Sequence, residues 1–499
     1  MGLKAFLGKI LAKRTQKKVE SWSSNALSEQ EKTLKNLLAQ AADTKFAQDH
    51  DFVSIKSYPQ FSEMVPIRDY EGLRKYIDLV VQGKSDVLWP GKPIYFSKTS
   101  GTTSGAKYIP ITAESMGHHI EAARNALLLY VAQTGNNQFI DGKMIFLQGS
   151  PELTEKNGIK VGRLSGIVAH HVPGYLQKNR LPSFQTNSIE DWETKVDAVI
   201  DETVGQPMTL ISGIPSWVQH YFERLIERTG KSSIKEIFPD FSLFVYGGVN
   251  FEPYRARFKK LIGKAVDSIE TYPASEGFIA FQNDQHDPAL LLNTSAGIFY
   301  EFIPADRFFD DNPPRLSLAE VEVGENYALV LTTNAGLWAY SIGDTVKFTS
   351  KDPYKILVTG RIKHFTSAFG EHVIAEEVEG AMKEALNEFN GAEVVEFTVA
   401  PQLNPSEGLP YHEWIIDFSS EPDNLSEFSK FLDNQMQLRN VYYADLIKGK
   451  ILRPLEIRNV SKGAFNEYMK SQGKLGGQNK VPRLSNDRKI ADGILQCSE

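Results

Sequence analysis

The chain has 499 residues, 41% of them apolar, and a formal net charge of −7. That length exceeds what one hydrophobic core usually organises, so two or more domains are expected. The negative balance argues against nucleic acid as a broad partner, the single cysteine, Cys497, excludes an internal disulfide framework or multi-thiolate metal site, and no apolar run is long enough to span a bilayer.

The cysteine usage fits a reducing, cytoplasmic setting, and no membrane partner is expected. The first eighteen residues carry Lys4, Lys9, Lys13, Arg14, Lys17 and Lys18 among Leu3, Phe6, Leu7, Ile10 and Leu11. A transit peptide or membrane-surface helix can look like this. The basic stretch runs straight into ordinary helical sequence, which favours a first amphipathic helix packed on the body. The rest of the first hundred residues reads as helices, up to a turn-rich approach at 89–93. After a glycine-rich loop come a helix at 114–133, a short buried strand at 144–147, and helices at 191–203 and 216–229. Strand 241–246 runs into Gly247-Gly248, strand 268–272 runs into 273–277, and 327–332 is a third strand. Strands alternating with helices predict an α/β body with sheets flanked by helices. Open α/β sheets usually keep their chemistry just after strands. Beyond about residue 361 the pattern changes. A helix is expected at 373–389, with Val378, Met382, Ala385 and Phe389 on one face. Strands at 393–399 and 413–418, a helix at 426–440, a strand at 451–460 and a helix at 464–471 come next. The expected division is a large domain, 1–361, and a small α+β domain, 362–499.

Four segments attract chemistry. Residues 97–107 read SKTSGTTSGAK. The glycines let backbone N–H groups approach an anion, and hydroxyls add donors to phosphate oxygens; a solvated Ser/Gly/Thr loop would look the same. It is not a Walker loop, because Ala106 rather than Lys follows Gly105 and the glycine spacing differs. In Tyr272-Pro273-Ala274-Ser275-Glu276-Gly277 a ring can lie against a purine, a hydroxyl can reach a phosphate and a carboxylate can hold Mg²⁺; a strand end before a capped helix is the plainer alternative. In Tyr340-Ser341-Ile342-Gly343-Asp344 the carboxylate suits a ribose diol, although Gly-Asp pairs are common in turns. Residues 360–379 read GRIKHFTSAFGEHVIAEEVE, with a basic residue at the domain boundary and a glycine turn into an acidic helix start.

In order and spacing these segments resemble the adenylate-forming superfamily of acyl-CoA synthetases, luciferases and peptide-synthetase adenylation domains, over residues from about 95 to about 485. The loop Thr99-Ser100-Gly101-Thr102-Thr103-Ser104-Gly105, with Ser104 inserted before the glycine, resembles more narrowly the auxin-responsive acyl-acid amido synthetase (Gretchen Hagen) family. So do Tyr272 to Glu276, Tyr340 to Asp344, and Lys480-Val481-Pro482-Arg483. Ser341 departs from the family pattern, standing where an arginine is usual.

The resemblance implies a large adenylate-forming domain, a small mobile C-terminal domain, and ATP with Mg²⁺. It places Ser100, Gly101, Thr102, Thr103 and Gly105 at the phosphates, Tyr272 near adenine, Ser275 near the α-phosphate, Glu276 on Mg²⁺ and Asp344 on the ribose. Gly247-Gly248 resembles the turn beside nucleotide and acyl group, Gly360-Arg361, Gly370 and Glu377-Val378-Glu379 the hinge and the segment beyond. Arg361 and Lys363 lie at that hinge, Arg361 also being counted with the ATP site, and Lys480 is the expected catalytic cation. The implied reaction joins a small carboxylic acid to an amino acid amine through an acyl-adenylate, in a chain expected to be monomeric. An acyl-CoA synthetase using a thiol acceptor, or a nucleotide-binding regulator without catalysis, is the alternative. The pairs His118-His119 and His170-His171 are poor metal chelates, since adjacent side chains point apart. Residues 164–175 read as a core segment and loop, or as lining for the acyl group.

Overall fold

The computed structural model describes every residue except 1–2, 100–106, 173, 190, 249–250, 363–372, 374, 404, 450–451, 474–480, 486 and 499. The chain divides into two compact units: Met1–Ile342 with Val346–Leu357, and Gly343–Thr345 with Val358–Glu499.

The first unit opens with helices Leu3–Ser23, Ala26–Gln40, Lys45–Asp49, Tyr58–Met64 and Tyr70–Val81. Side chains start several of them: Thr44 accepts from the Ala47 amide and Asp69 from the Gly72 amide, filling donors that a helix start leaves open. The longest helix among the described residues, Ala113–Thr134, begins in a Thr112/Ser115 capping box and ends at Gly135, whose φ is +71°. The first helix lies against it, burying Ala12, Thr15, Val19 and Trp22. The basic N-terminal segment is therefore a packed helix over its described length.

Strands β1 (Tyr95–Thr99) and β2 (Lys107–Ile111) form an antiparallel hairpin. Strand β3 (Lys143–Leu147) is next in the chain. The hairpin of β4 (Thr154–Lys156) and β5 (Ile159–Gly162) joins β1 to give a four-stranded sheet. Strands β6 (Arg180–Leu181), β7 (Met208–Gly213), β8 (Leu243–Gly247) and β9 (Asp267–Ala274) enter the main sheet, where β6-β3-β7-β8-β9 run parallel. Helices Trp192–Thr203, Pro215–Thr229 and Glu252–Ile262 lie between these strands in sequence. Their apolar faces meet the sheet in a core that includes Val196, Ile200, Trp217, Phe222, Phe244 and Phe258. Such cover explains why β8 is an unbroken apolar run up to Gly247. Strands β10 (Gly277–Gln282), β11 (Leu290–Leu292), β12 (Ile298–Pro304), β13 (Asn326–Thr333), β14 (Tyr340–Lys351) and β15 (Tyr354–Arg361) complete eleven strands, in the order β12-β13-β14-β15-β11-β10-β9-β8-β7-β3-β6.

The second unit is α+β. Strand β16 (Glu393–Gln402) pairs antiparallel with β17 (Tyr411–Ser420), which pairs parallel with β18 (Glu456–Asn459). Helices Ala375–Glu388 and Leu425–Arg439 bury Val378, Met382, Phe428 and Met436 against Phe397 and Trp414. The expected strand at 451–460 is only the four residues of β18. Helix Val441–Lys448 and strand β15 have no counterpart in the sequence reading. Segment 340–344, which reads equally as a turn, is the start of the twelve-residue β14.

Candidate active site

The hydroxyl/glycine loop sits between the ends of β1 and β2, whose terminal pair is Thr99 with Lys107. Ser100, Gly101, Thr102, Thr103, Ser104 and Gly105 lie outside the described residues, as do Lys363, Gly370 and Lys480. The stem of the loop is described, and it touches the second motif: Ser97 Oγ lies 2.8 Å from Ser275 Oγ, in a buried pair.

Ser275 and Glu276 form the two-residue connection between β9 and β10, closed by the pair Ala274–Gly277. The element after Tyr272 is thus an antiparallel strand and not a capped helix, the plainer alternative from sequence. Tyr272 is buried near the end of β9, opposite Ala280. On the other side of β9 runs β8, with Gly247 opposite Thr271. A Cβ at Gly247 would stand 2.3 Å from the Thr271 carbonyl oxygen, so only glycine allows this approach. Gly248 has φ +80°, a left-handed conformation that favours glycine. Gly247-Gly248 and Ser275-Glu276 therefore leave two adjacent parallel strands at their carboxyl ends, the usual ligand side of an open α/β sheet.

A cavity of about 450 Å³ has walls from Ile94, Met116, Ile120, Glu121, Arg124 and His171. Strand β1 links it to the hydroxyl pair. Tyr95 and Ser97, two residues apart, project from the same face, and the Tyr95 hydroxyl is 3.0 Å from His171 Nε2. Burial, with His170 and Lys160 nearby, holds the His171 imidazole below its ordinary pKa. Leu164 and Ile167, from the segment that reads as core or acyl lining, pack in one cluster with Tyr95 and Met116, the latter a wall of this cavity. The histidine pairs diverge: His170 Nε2 meets the Pro151 carbonyl at 2.7 Å, while His171 turns to Tyr95. Among the described residues no group of three or more His, Cys, Asp or Glu could hold a metal ion.

The third motif is divided, with Tyr340, Ser341 and Ile342 in the first unit and Gly343 and Asp344 in the second. Asp344 Oδ1 is 2.9 Å from Arg361 Nε. Gly343, with φ +81°, sets the backbone just before it, and its carbonyl accepts from the Ile362 amide at 2.6 Å. Ser341, where the resembling pattern has arginine, is buried and donates its amide to the Arg68 carbonyl at 2.8 Å. Arg483 belongs to the last motif, but no task for it is legible in the sequence. The structure docks it on β16: its guanidinium pairs with Glu379 and Glu396, donates to the Phe397 carbonyl and lies 4.4 Å from the Phe397 ring centre. The neighbouring backbone is tied to the same strand, with Val399 N donating to the Arg483 carbonyl at 2.9 Å and Thr398 Oγ1 to the Pro482 carbonyl at 2.6 Å. Ser97 and His171 fall inside segments that the sequence singles out, 97–107 and 164–175, but their contacts with Ser275 and Tyr95 span 178 and 76 positions and carry no sequence signal.

The description "GH3 family N-terminal domain" matches residues 15–195, "GH3 family central domain" 291–361 and "GH3 family C-terminal domain" 376–489, together well over half of the chain. The chain belongs to the GH3 family. This is the Gretchen Hagen family that the motifs resemble. Among its relatives, jasmonoyl–L-amino acid synthetase GH3.5 of Oryza sativa subsp. japonica is 23% identical, over 94% of this chain and 94% of its own length. The solved structure of GH3.15 acyl acid amido synthetase aligns with TM-score 0.79 at 17% identity, covering 96% of this chain and 95% of that one. A 2-hydroxyisobutyryl-CoA ligase in the postadenylation state aligns with TM-score 0.56 at 13% identity, covering 97% and 91%. The GH3 chain thus has the adenylate-forming fold.

Proposed function

We propose that this GH3 chain is an ATP-dependent acyl-acid amido synthetase that activates a small carboxylic acid as its adenylate and passes the acyl group to an amino acid amine. The observation that carries the reading is the junction at the carboxyl ends of β8 and β9. There Gly247-Gly248 and Ser275-Glu276 stand together, and the Ser97–Ser275 hydroxyl pair ties them to the stem of the glycine-rich loop. Names such as jasmonoyl–L-amino acid synthetase among its relatives support the choice of an amine acceptor.

In the first half-reaction a carboxylate oxygen attacks the α-phosphorus of ATP, and the bond to pyrophosphate breaks. Ser100, Gly101, Thr102, Thr103 and Gly105 bind the phosphates, Tyr272 packs on adenine and Ser275 directs the α-phosphate. Asp344 accepts from the ribose hydroxyls, steadied by Arg361. Mg²⁺ usually takes one or two carboxylates, with phosphate oxygens and water completing its shell, so Glu276 alone is a sufficient protein donor. The ion, when bound, neutralises phosphate charge and orients the leaving group. Lys480 stabilises charge that develops at the α-phosphorus. In the second half-reaction the amine nitrogen attacks the acyl carbon, the bond to AMP breaks and the amine loses a proton. Arg361 and Lys363 serve as the hinge between the two steps.

The cavity between Ile94, Met116, Ile120 and His171 suits the apolar body of the acid, with Arg124 at its wall. No described helix is long and apolar enough to cross a membrane, and the proposal includes a cytoplasmic monomer. Exchange of labelled pyrophosphate into ATP, screened over aryl and aliphatic acids, tests the first step. Acid-dependent exchange that Glu276→Gln lowers at limiting Mg²⁺ is expected. Exchange indifferent to both acid and Glu276 would contradict the assignment.

A further inference from the structure

We infer that the exposed face of the first helix, Leu3–Ser23, is a contact surface for an anionic lipid layer. This goes beyond the ligase reading and does not depend on it. The helix is divided by its own packing. Ala12, Thr15, Val19 and Trp22 are buried against the body, a spacing that places them on one stripe. Lys13, Arg14 and Lys17 stand exposed on the opposite side, with Ile10 among them at 39% exposure, while Leu11, 45% exposed, flanks the buried stripe. The acid Glu20 stands on the same side, one turn beyond Lys17, and accepts from Gln16.

The charge on this face is set against the rest of the molecule. Six Lys and Arg and no Asp or Glu occupy positions 1–18, in a chain whose net charge is −7. Removing those six charges leaves the remaining sequence at −13. With the remaining sequence at a net −13, attraction of an anionic surface to this basic helix would fix the orientation of approach. Clustered Lys and Arg on a helix are attracted to acidic headgroups, and exposed aliphatic side chains among them insert at the headgroup boundary. Ile10 and Leu11 favour lipid over nucleic acid, whose phosphate backbone offers them nothing apolar. Lys18 extends the face to the acid cavity: its Nζ is 2.5 Å from Glu121, one of the lining residues. A protein held this way would meet apolar acids where they concentrate, at the lipid interface.

Sedimentation of the full chain with phosphatidylcholine vesicles, with and without phosphatidylglycerol, tests the inference. Binding is expected only to the phosphatidylglycerol vesicles, with release at high salt. Combined Lys13→Glu, Arg14→Glu and Lys17→Glu should weaken it roughly a hundredfold, and Ile10→Ser with Leu11→Ser about tenfold. All five positions are exposed, so melting temperatures should match the parent. Binding unchanged in the charge-reversed protein, equal binding to both vesicles, or binding to neither would overturn the inference. Uptake of duplex DNA without uptake of vesicles would overturn it in favour of a nucleic acid partner.

Discussion

Ser97 and Ser275 share one buried hydrogen bond at 2.8 Å, and through it a strand from one sheet holds a hydroxyl at the end of another. A buried hydroxyl stripped of its partner becomes less well oriented and incurs about 1 kcal/mol or more. Ser97→Ala should therefore lower the rate constant of acid-dependent pyrophosphate exchange about fivefold to tenfold while scarcely moving the melting temperature; unchanged exchange would show that Ser275 needs no such support. His119 illustrates a residue with a structural task alone. It is buried in the long helix, edge-on to Phe278. Burial, and then the neighbouring His118, lower its pKa to about 4 from 6.5. Because the unfolded chain binds the proton more tightly, stability is full above the unfolded pKa and falls as pH drops from about 6.5 to about 4. The loss is about 3 kcal/mol. His119→Leu should flatten that part of the stability curve, read as urea midpoints at neutral and acid pH. Parallel curves for variant and parent would refute this.

At the scale of elements, the first unit brings two strand ends close together and the second unit holds an arginine clasp. Gly247→Ala forces a methyl against the Thr271 carbonyl, which should destabilise the first unit by about 2 kcal/mol and lower exchange with it. Arg483→Ala leaves Glu379 and Glu396 facing each other without their shared cation. A loss of about 3 kcal/mol from the second unit is expected, partly restored when Glu396→Gln is added, as measured by urea unfolding. The elements also show what a sequence can and cannot convey. Helix Ala113–Thr134 and strands β8, β9, β16 and β17 were legible, since periodicity and capping residues are local signals. Tyr340 to Asp344 was not legible as a strand, because Gly343 and Asp344 are turn formers locally and only pairing across the sheet overrides them. Ser275-Glu276 was legible as a motif but not as a hairpin connection, since β10 is defined by its partner rather than by its own pattern. The Ser97 and Arg483 contacts join residues 178 and 104 positions apart, and no spacing rule reaches that far.

At the scale of the whole molecule, the motif set is distributed over both units. Tyr272, Ser275, Glu276 and the glycine turn belong to the first, and Asp344, Arg361 and the Pro482-Arg483 clasp to the second. Family membership and the adenylate-forming fold account for that distribution, and the proposed chemistry divides along it. Lys480→Ala should slow adenylation far more than amide formation from a supplied acyl-adenylate in single-turnover assays; equal slowing of both would remove the lysine from its proposed role. The central claim is that acid activation feeds an amine. Its most direct measurement is AMP release with ATP, Mg²⁺ and an acid that supports exchange, comparing added amino acids with added coenzyme A. The account predicts that at least one amino acid accelerates AMP release and appears in an amide product, while coenzyme A does not. Acceleration by coenzyme A alone, with a thioester as product, would contradict it.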